Sequence, residues 1–358
     1  MAKVNTVLGP VDATDLGATM SHVHLTLDIS CWYMPPTGEA AQREAEAEFS
    51  LDRLGAIRRN GLAFQRNLKQ DDVELTIREV AEFRKHGGGT VIDMDLDGIG
   101  RNVDAMVAIS RATGLHVVAS TGWYIQGAHP GFVAGKSTEE LADLMTREIL
   151  EGIGTTGVRA GNIGEIGLSG MPDVPFHPDE EKVLRAAARA QKATGTSLTI
   201  HPNAHLTIYG ETPVDHFPTY IDILEKEGAD LAKIYPSHLG LYPLSTARKL
   251  LQRGVGFISY DHFGHEEFCE VLGPGRGFTP DRIEVETVME LLGDGYADRV
   301  LLGAEVGWKT CYKANGGWGY SHVLEHIVPW LRACGASAEQ ITTMMVDNPR
   351  RLHGMRGD

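Results

Sequence analysis

Four short segments of this chain carry metal-binding residue types at the end of an apolar, β-rich run: Ser-His22-Val-His24, Gly-Glu165-Ile-Gly, Ile-His201-Pro and Ser-His238-Leu. Residues two apart on a strand point to the same side, so His22 and His24 can grip one ion from a strand end. Among fifteen histidines in 358 residues one such pair is a weak signal. Each later strand-end histidine, taken singly, reads better as a hydrogen-bonded structural residue. Together with Glu305, which follows Val300-Leu-Leu-Gly-Ala304, the set reads as a metal centre. A carboxylate can bridge two divalent ions while imidazoles distribute between them, and the water such ions share is acidified toward hydroxide. Metal-dependent hydrolysis is the chemistry expected. Nitrogen and oxygen ligands suit zinc, with manganese, cobalt or iron as alternatives. A lyase or isomerase using one ion needs fewer than six ligands.

Such a set requires a scaffold that brings distant strand ends together. Short apolar runs alternate with longer segments of helical period, the pattern of repeated βα units. Strands are expected near Ala18–His24, Thr90–Met94, His116–Thr121, Asn162–Ile166, Ser197–His201, Lys233–His238, Gly256–Tyr260 and Arg299–Ala304. Helical stretches lie between them, among them Asp72–Lys85, Val103–Thr113, Ser137–Glu151, Asp179–Thr194, Phe217–Glu227, Ser245–Arg253 and Pro280–Leu292. Gly114, Gly254 and Thr194 with its neighbours stop helices just before strands. Eight units predict an α/β fold, a closed (β/α)8 TIM barrel formed as one domain over residues 1–358. Barrel enzymes place their chemistry at the carboxyl ends of strands. His22 and His24 end strand 1, Glu165 strand 4, His201 strand 5, His238 strand 6 and Glu305 strand 8, so all six converge on one mouth.

The segment from Cys31 to Gln70 is too long for a βα loop. It carries Pro35-Pro36-Thr-Gly38 and a charged run from Glu39 to Glu48, which predicts a helical excursion over one barrel end. A solvated helix is its plain reading; a lid or an oligomer contact is the sharper one. A formal charge of −15 and a pI near 5.4 argue against nucleic-acid and anionic-membrane partners, which leaves small molecules. Four cysteines without CxxC spacing suggest free thiols in a reducing compartment. The first ten residues lack an apolar signal core and no 18-residue apolar run occurs, so a soluble, cytoplasmic protein is expected.

Several motifs, in order along nearly the whole chain, resemble the phosphotriesterase-like group of the amidohydrolase superfamily, within it the phosphotriesterase-related, resiniferatoxin-binding branch. They are Val4-Asn-Thr-Val-Leu-Gly9 before Ser-His22-Val-His24-Leu, Asp97-Gly-Ile-Gly-Arg-Asn102, Ser120-Thr-Gly-Trp-Tyr124 and Gly164-Glu165-Ile-Gly. Ser237-His238-Leu, Ile258-Ser-Tyr-Asp-His-Phe-Gly264, Gly316-Gly-Trp-Gly-Tyr-Ser-His322 and Asp347-Asn-Pro-Arg-Arg-Leu352 continue the series. The resemblance implies a binuclear (β/α)8 hydrolase and a homodimer. Members bridge their two metals with a carbamylated lysine or a glutamate, and Glu165 resembles the glutamate type. By the resemblance His22, His24 and Glu305 hold the inner metal, and His201 and His238 the outer one.

The chain also departs from its relatives. Where strand 8 normally ends in an aspartate that binds the buried metal and takes a proton, Glu305 stands here and reaches about 1.5 Å further. It either binds metal directly or does so through water. The acid found soon after the strand-6 histidine is missing from His238-Leu-Gly-Leu-Tyr242, including Gly240; His205, His262 and Asp261 are possible substitutes. Val23 and Trp318 replace a glutamate and a histidine of the relatives. These changes suggest an altered substrate and leave open a catalytically weak or inactive small-molecule binding protein. The reading carried forward is hydrolysis of a carboxylic ester, lactone or amide, with phosphoester turnover as a side activity and Glu305 managing the proton.

Secondary candidates are Tyr124, as a hydrogen-bond donor to the carbonyl attacked or else a core residue beside Trp123, and Arg101, as a carboxylate binder or else a turn stabiliser. Lys309 either reaches into the mouth or is solvated. Trp308, Trp318 and Tyr320 suggest an aromatic-walled pocket, in which burial contributes roughly 25 cal/mol per Å².

Overall fold

The computed structural model describes residues 2–170, 173–203 and 213–355. The barrel strands are β1 (Ala18–Val23), β2 (Gly88–Asp93), β3 (His116–Val118, resumed at Ser120–Thr121), β4 (Asn162–Gly167), β5 (Ser197–His201), β6 (Ile234–Pro236), β7 (Ile258–Tyr260) and β8 (Val300–Leu302). Neighbours pair in parallel from β1 through β6, and β7 pairs in parallel with β8. Phe257 N–H donates to Ile234 O (3.1 Å), joining β6 to β7. Glu305 N–H donates to His22 O (3.2 Å), which closes β8 onto β1. The strands are buried on both sides, as parallel strands under a helical layer must be.

The outer layer is α1 (Val73–Lys85), α2 (Val103–Thr113), α3 (Thr138–Leu150), α4 (Pro178–Thr194), α5 (Phe217–Glu227), α6 (Leu244–Gln252), α7 (Asp281–Gly293) and, after a π-helical turn at Val323–Ile327, α8 (Val328–Ala333). Ser137 and Glu140 form a reciprocal capping box at the start of α3. At the ends of α2 and α4, Gly114 (φ +70°) and Gly195 (φ +68°) take the left-handed turn that a Cβ would oppose, so each helix stops one short step before its strand.

Between β1 and α1 the chain runs through short helices at Glu39–Glu46 and Leu54–Arg59. In the first, only Ala45 is buried, so the charged run is solvated. Its flanks behave differently: Ile29, Trp32, Met34 and Leu62 turn inward over the carboxyl ends of the strands.

The opposite barrel end is sealed by elements that periodicity does not reveal. A hairpin, Lys3–Thr6 with Gly9–Asp12, is tied down by Asn5, whose side-chain amide donates to Ile149 O (3.1 Å) and Ala160 O (3.0 Å). A closing helix, Asn348–His353, inserts His353 beneath the barrel, where its Nδ1 lies 2.9 Å from Ser197 Oγ. Burial, with a smaller contribution from the nearby Lys233 charge, pushes the His353 pKa down to about 3. The unfolded chain therefore takes up a proton that the folded one refuses. Stability rises with pH across the interval from about 3 to about 6.5 and is lost as pH falls through it. Between about pH 6.5 and pH 5 the wild type is expected to lose about 1.6 kcal/mol more than His353→Gln, measured by urea unfolding of both proteins. Equal losses would show that His353 does not carry this acid sensitivity.

Candidate active site

Strand geometry delivers six ligand-type side chains to one point. His22 and His24 leave the end of β1 on the same side while Val23 turns into the core. Glu165 lies in β4 and His201 ends β5. His238 and Glu305 follow β6 and β8 with φ of +60° and +46°, the only non-glycine residues with left-handed backbone among the described residues. Such conformations cost on the order of 1–3 kcal/mol each and persist where surrounding bonds over-determine them. His238 N–H is held by Asp261 Oδ1 (2.8 Å), and Glu305 N–H by His22 O.

Two clusters share Glu165. In the first, His22 Nε2 lies 2.6 Å from Glu305 Oε2 and 3.5 Å from Glu165 Oε2; His24 Nε2 lies 3.2 Å from Glu305 Oε1 and 3.6 Å from Glu165 Oε1. In the second, Glu165 Oε2 lies 3.1 Å from His201 Nδ1 and 3.3 Å from His238 Nε2. Within each cluster all candidate ligand atoms fall within 4.8 Å of one another. His22 Nε2 and Glu305 Oε2 are buried, face each other, and have no hydrogen-bond partner elsewhere. Two such donor atoms aimed at one spot are what a shared cation would satisfy. The residues fit a binuclear divalent-metal site, with the second cluster reached through the common carboxylate.

Electrostatics point the same way. Burial opposes ionisation of Glu165 and Glu305, but His201 and His22 beside the first, and His22 and His24 beside the second, outweigh it. Both carboxyls stay well below the usual carboxylate range. Burial also opposes charge on His24 and His238; Glu305 and Asp95 at His24, and Asp261 at His238, outweigh it and raise both well above the ordinary histidine value. For His201 burial prevails and the pKa is lowered. Protons here balance carboxylates, and a divalent ion would displace them on binding.

Outer contacts orient the imidazoles. His24 Nδ1 lies 2.9 Å from Asp95 Oδ1, and the other Asp95 oxygen accepts from Thr26 N–H (2.6 Å) and Thr26 Oγ1 (2.9 Å). Asp261 serves two ligands at once: Oδ1 is 2.8 Å from His238 Nδ1 and Oδ2 is 3.4 Å from His22 Nδ1. Carboxylates behind ligating histidines set tautomer and ring direction. Sequence reasoning missed Asp95, although Asp93 and Asp95 at the end of β2 are the signal that could have found it. Asp261, expected as a possible proton shuttle, is fully buried against His238 and His22.

The mouth above the clusters is lined by Tyr124, His262 and a wall that includes Trp32, Leu241, Phe278 and Trp308. Tyr124 OH accepts from Trp32 Nε1 (3.2 Å) and lies 3.2 Å from His201 Nε2. His262 stacks flat on His238 (ring centroids 4.2 Å), and burial lowers its pKa well below the ordinary value, so it is a neutral imidazole. After β6, a side chain at Gly240 would meet the buried Glu284 carboxylate, which would have to move to admit it. His205 lies outside the described residues.

Three expectations are corrected. Arg101 does not face the mouth: its guanidinium is bidentate to Glu148 of α3 (2.7 and 2.9 Å) and donates to Ser120 O, a structural pairing. Lys309 is drawn away by Asp71 (2.8 Å). Trp318 is 44% exposed and packs on His322 in a separate crevice, while Tyr320 is buried and donates to His24 O (2.5 Å); of the three aromatics expected, only Trp308 lines the pocket.

The phosphotriesterase family model matches residues 2–353. The N-acetyltaurine hydrolase of Rattus norvegicus is 33% identical over 354 residues, spanning 98% of this chain and 97% of the relative. A resiniferatoxin-binding protein from Rhodobacter sphaeroides superposes with a TM-score of 0.90 at 34% identity, covering 99% of this chain and 95% of that one. A mutant PTE-like lactonase from Deinococcus radiodurans superposes with a TM-score of 0.73 at 27% identity, covering 98% and 100%. With the barrel and its ligand clusters in place over the same span, the chain belongs to the phosphotriesterase family and is a metal-dependent hydrolase.

Proposed function

We propose that this protein hydrolyses a carboxylic amide, ester or lactone with two zinc ions, the inner held by His22, His24 and Glu305, the outer by His201 and His238, and both by Glu165. The observation that carries this reading is Glu165, whose carboxylate is common to both clusters. Bound metals would supply an acidified water and polarise the carbonyl under attack. The protein's own groups do the rest. Glu305, kept ionised, accepts the proton of the attacking water and can return it to the leaving group. Tyr124 OH, facing the pocket, donates to the substrate oxygen. Asp95 and Asp261 hold the imidazoles in register. The amide and lactone activities named in two relatives support a carboxyl centre. Four free thiols support a reducing compartment.

Plasma mass spectrometry on protein purified without chelator is expected to find about two metals per chain. An amide, ester, lactone and phosphotriester panel is expected to show carboxyl turnover that chelation abolishes and zinc restores. Loaded protein that ignores every carboxyl substrate but turns over a phosphotriester rapidly would overturn the reading.

A further inference from the structure

N-acetyltaurine, named in the rat relative, ends in a sulfonate, and a buried sulfonate requires a cation or several N–H donors. The described lining of this pocket offers no such cation, and beyond the ligand cluster its N–H groups are the scattered ring donors of His262, Trp32 and Trp308. Among the described residues that line it there is no lysine or arginine. Of the cations on adjoining segments, Arg101 pairs with Glu148, Lys309 with Asp71 and Arg59 with Glu270, and Arg276, between the lining residues Leu272 and Phe278, is engaged as well. The wall that would meet the far end of a substrate is hydrocarbon and aromatic, formed by Trp32, Met34, Leu62, Leu241, Phe278 and Trp308. The one indole N–H on it whose partner is seen, that of Trp32, is spent on Tyr124. Metals in the clusters would face the scissile carbonyl, not the distal group.

Resting on the hydrolase reading above, we infer that the substrate is an uncharged amide whose amine side is apolar, and that anionic N-acyl sulfonates and amino acids are rejected. The reaction balances simply: the acyl C–N bond breaks, the water oxygen bonds to the acyl carbon, and one water proton goes to the leaving nitrogen. Specificity lies in the wall, because stripping water from an anion against hydrocarbon has no compensating partner.

A matched pair tests this: N-acetyltaurine against N-(3,3-dimethylbutyl)acetamide, in which a tert-butyl group replaces the sulfonate on the same two-carbon spacer. With zinc-loaded protein, kcat/KM is expected to favour the neutral amide by at least about 100-fold. On the rim, where the wall is partly exposed, Met34→Arg and, separately, Leu272→Arg are expected to shift that ratio at least about tenfold toward the anion. Equal or inverted preference in the wild type overturns the inference and leaves the hydrolase reading intact. If neither acetamide turns over, Ki values of the pair against whichever panel substrate is hydrolysed decide the matter by the same ratio. If the whole panel is silent, the hydrolase reading fails, and calorimetric titration of the pair into loaded protein still tests the pocket: tighter binding of the anion overturns the inference.

Discussion

Glu165→Ala is expected to empty the metal centre and lower turnover by at least about 10⁴-fold, a barrier increase of roughly 5.5 kcal/mol. The size of the effect follows from shared duty. Oε2 of Glu165 stands within 3.5 Å of His22, His201 and His238, and Oε1 stands 3.6 Å from His24, so a single side chain serves four imidazoles. Without it the second cluster retains only two histidines and no anion, and the first loses one of its two carboxylates. Metals per chain, measured beside turnover on protein whose circular dichroism is unchanged, check the prediction. Two tightly held metals in Glu165→Ala would rule out a bridging role. Glu165→Asp, one methylene shorter, should recover part of the metal content, which separates loss of charge from loss of reach.

The second large effect concerns the proton. Glu305→Gln keeps the volume of the side chain and one carbonyl oxygen for the metal, but removes the anionic acceptor. Its kcat is expected to fall by about 10² to 10⁴-fold with KM little changed, the range usual for a positioned general base. An unchanged kcat would assign proton transfer to another group, and His262, neutral and facing the same pocket, is the next to test. The backbone supplies an independent readout. Because Glu305 is held at φ +46°, Glu305→Gly is expected to unfold at higher urea than Glu305→Ala when both are metal-free, by about 1 kcal/mol, since both variants lack the carboxylate and only alanine keeps a Cβ at the left-handed position. A metal-free Glu305→Gly no more stable than Glu305→Ala would show that the backbone there carries no such strain.

Much of the site was legible in advance, and the reason is local. An imidazole or carboxylate at the carboxyl end of an apolar run must stand at one rim once eight runs close into a barrel, whatever the loops do. Hence His22, His24, Glu165, His201, His238 and Glu305 meet. The helix limits were equally readable, since Gly114 and Gly195 stop α2 and α4 by backbone conformation alone. Arg101, Lys309 and Trp318 sit just beyond strands too, but on loops whose direction depends on competing partners. Glu148, Asp71 and His322 took them, and no spacing rule announces such a choice. The same limit hid the carboxylates behind the ligands. Asp95 is 71 residues from His24 and Asp261 is 23 from His238.

Periodicity and residue type, which depend on neighbours a few positions apart, thus determined by themselves that the chain is a (β/α)8 barrel with its six ligand-type side chains at one rim. Tertiary structure decided which side chains face the pocket, which are consumed in ion pairs, and that no lysine or arginine is among the described residues lining it. Those outcomes turn on contacts between segments far apart in the chain, where a shift of one side chain toward a better-placed charge changes what the pocket can bind.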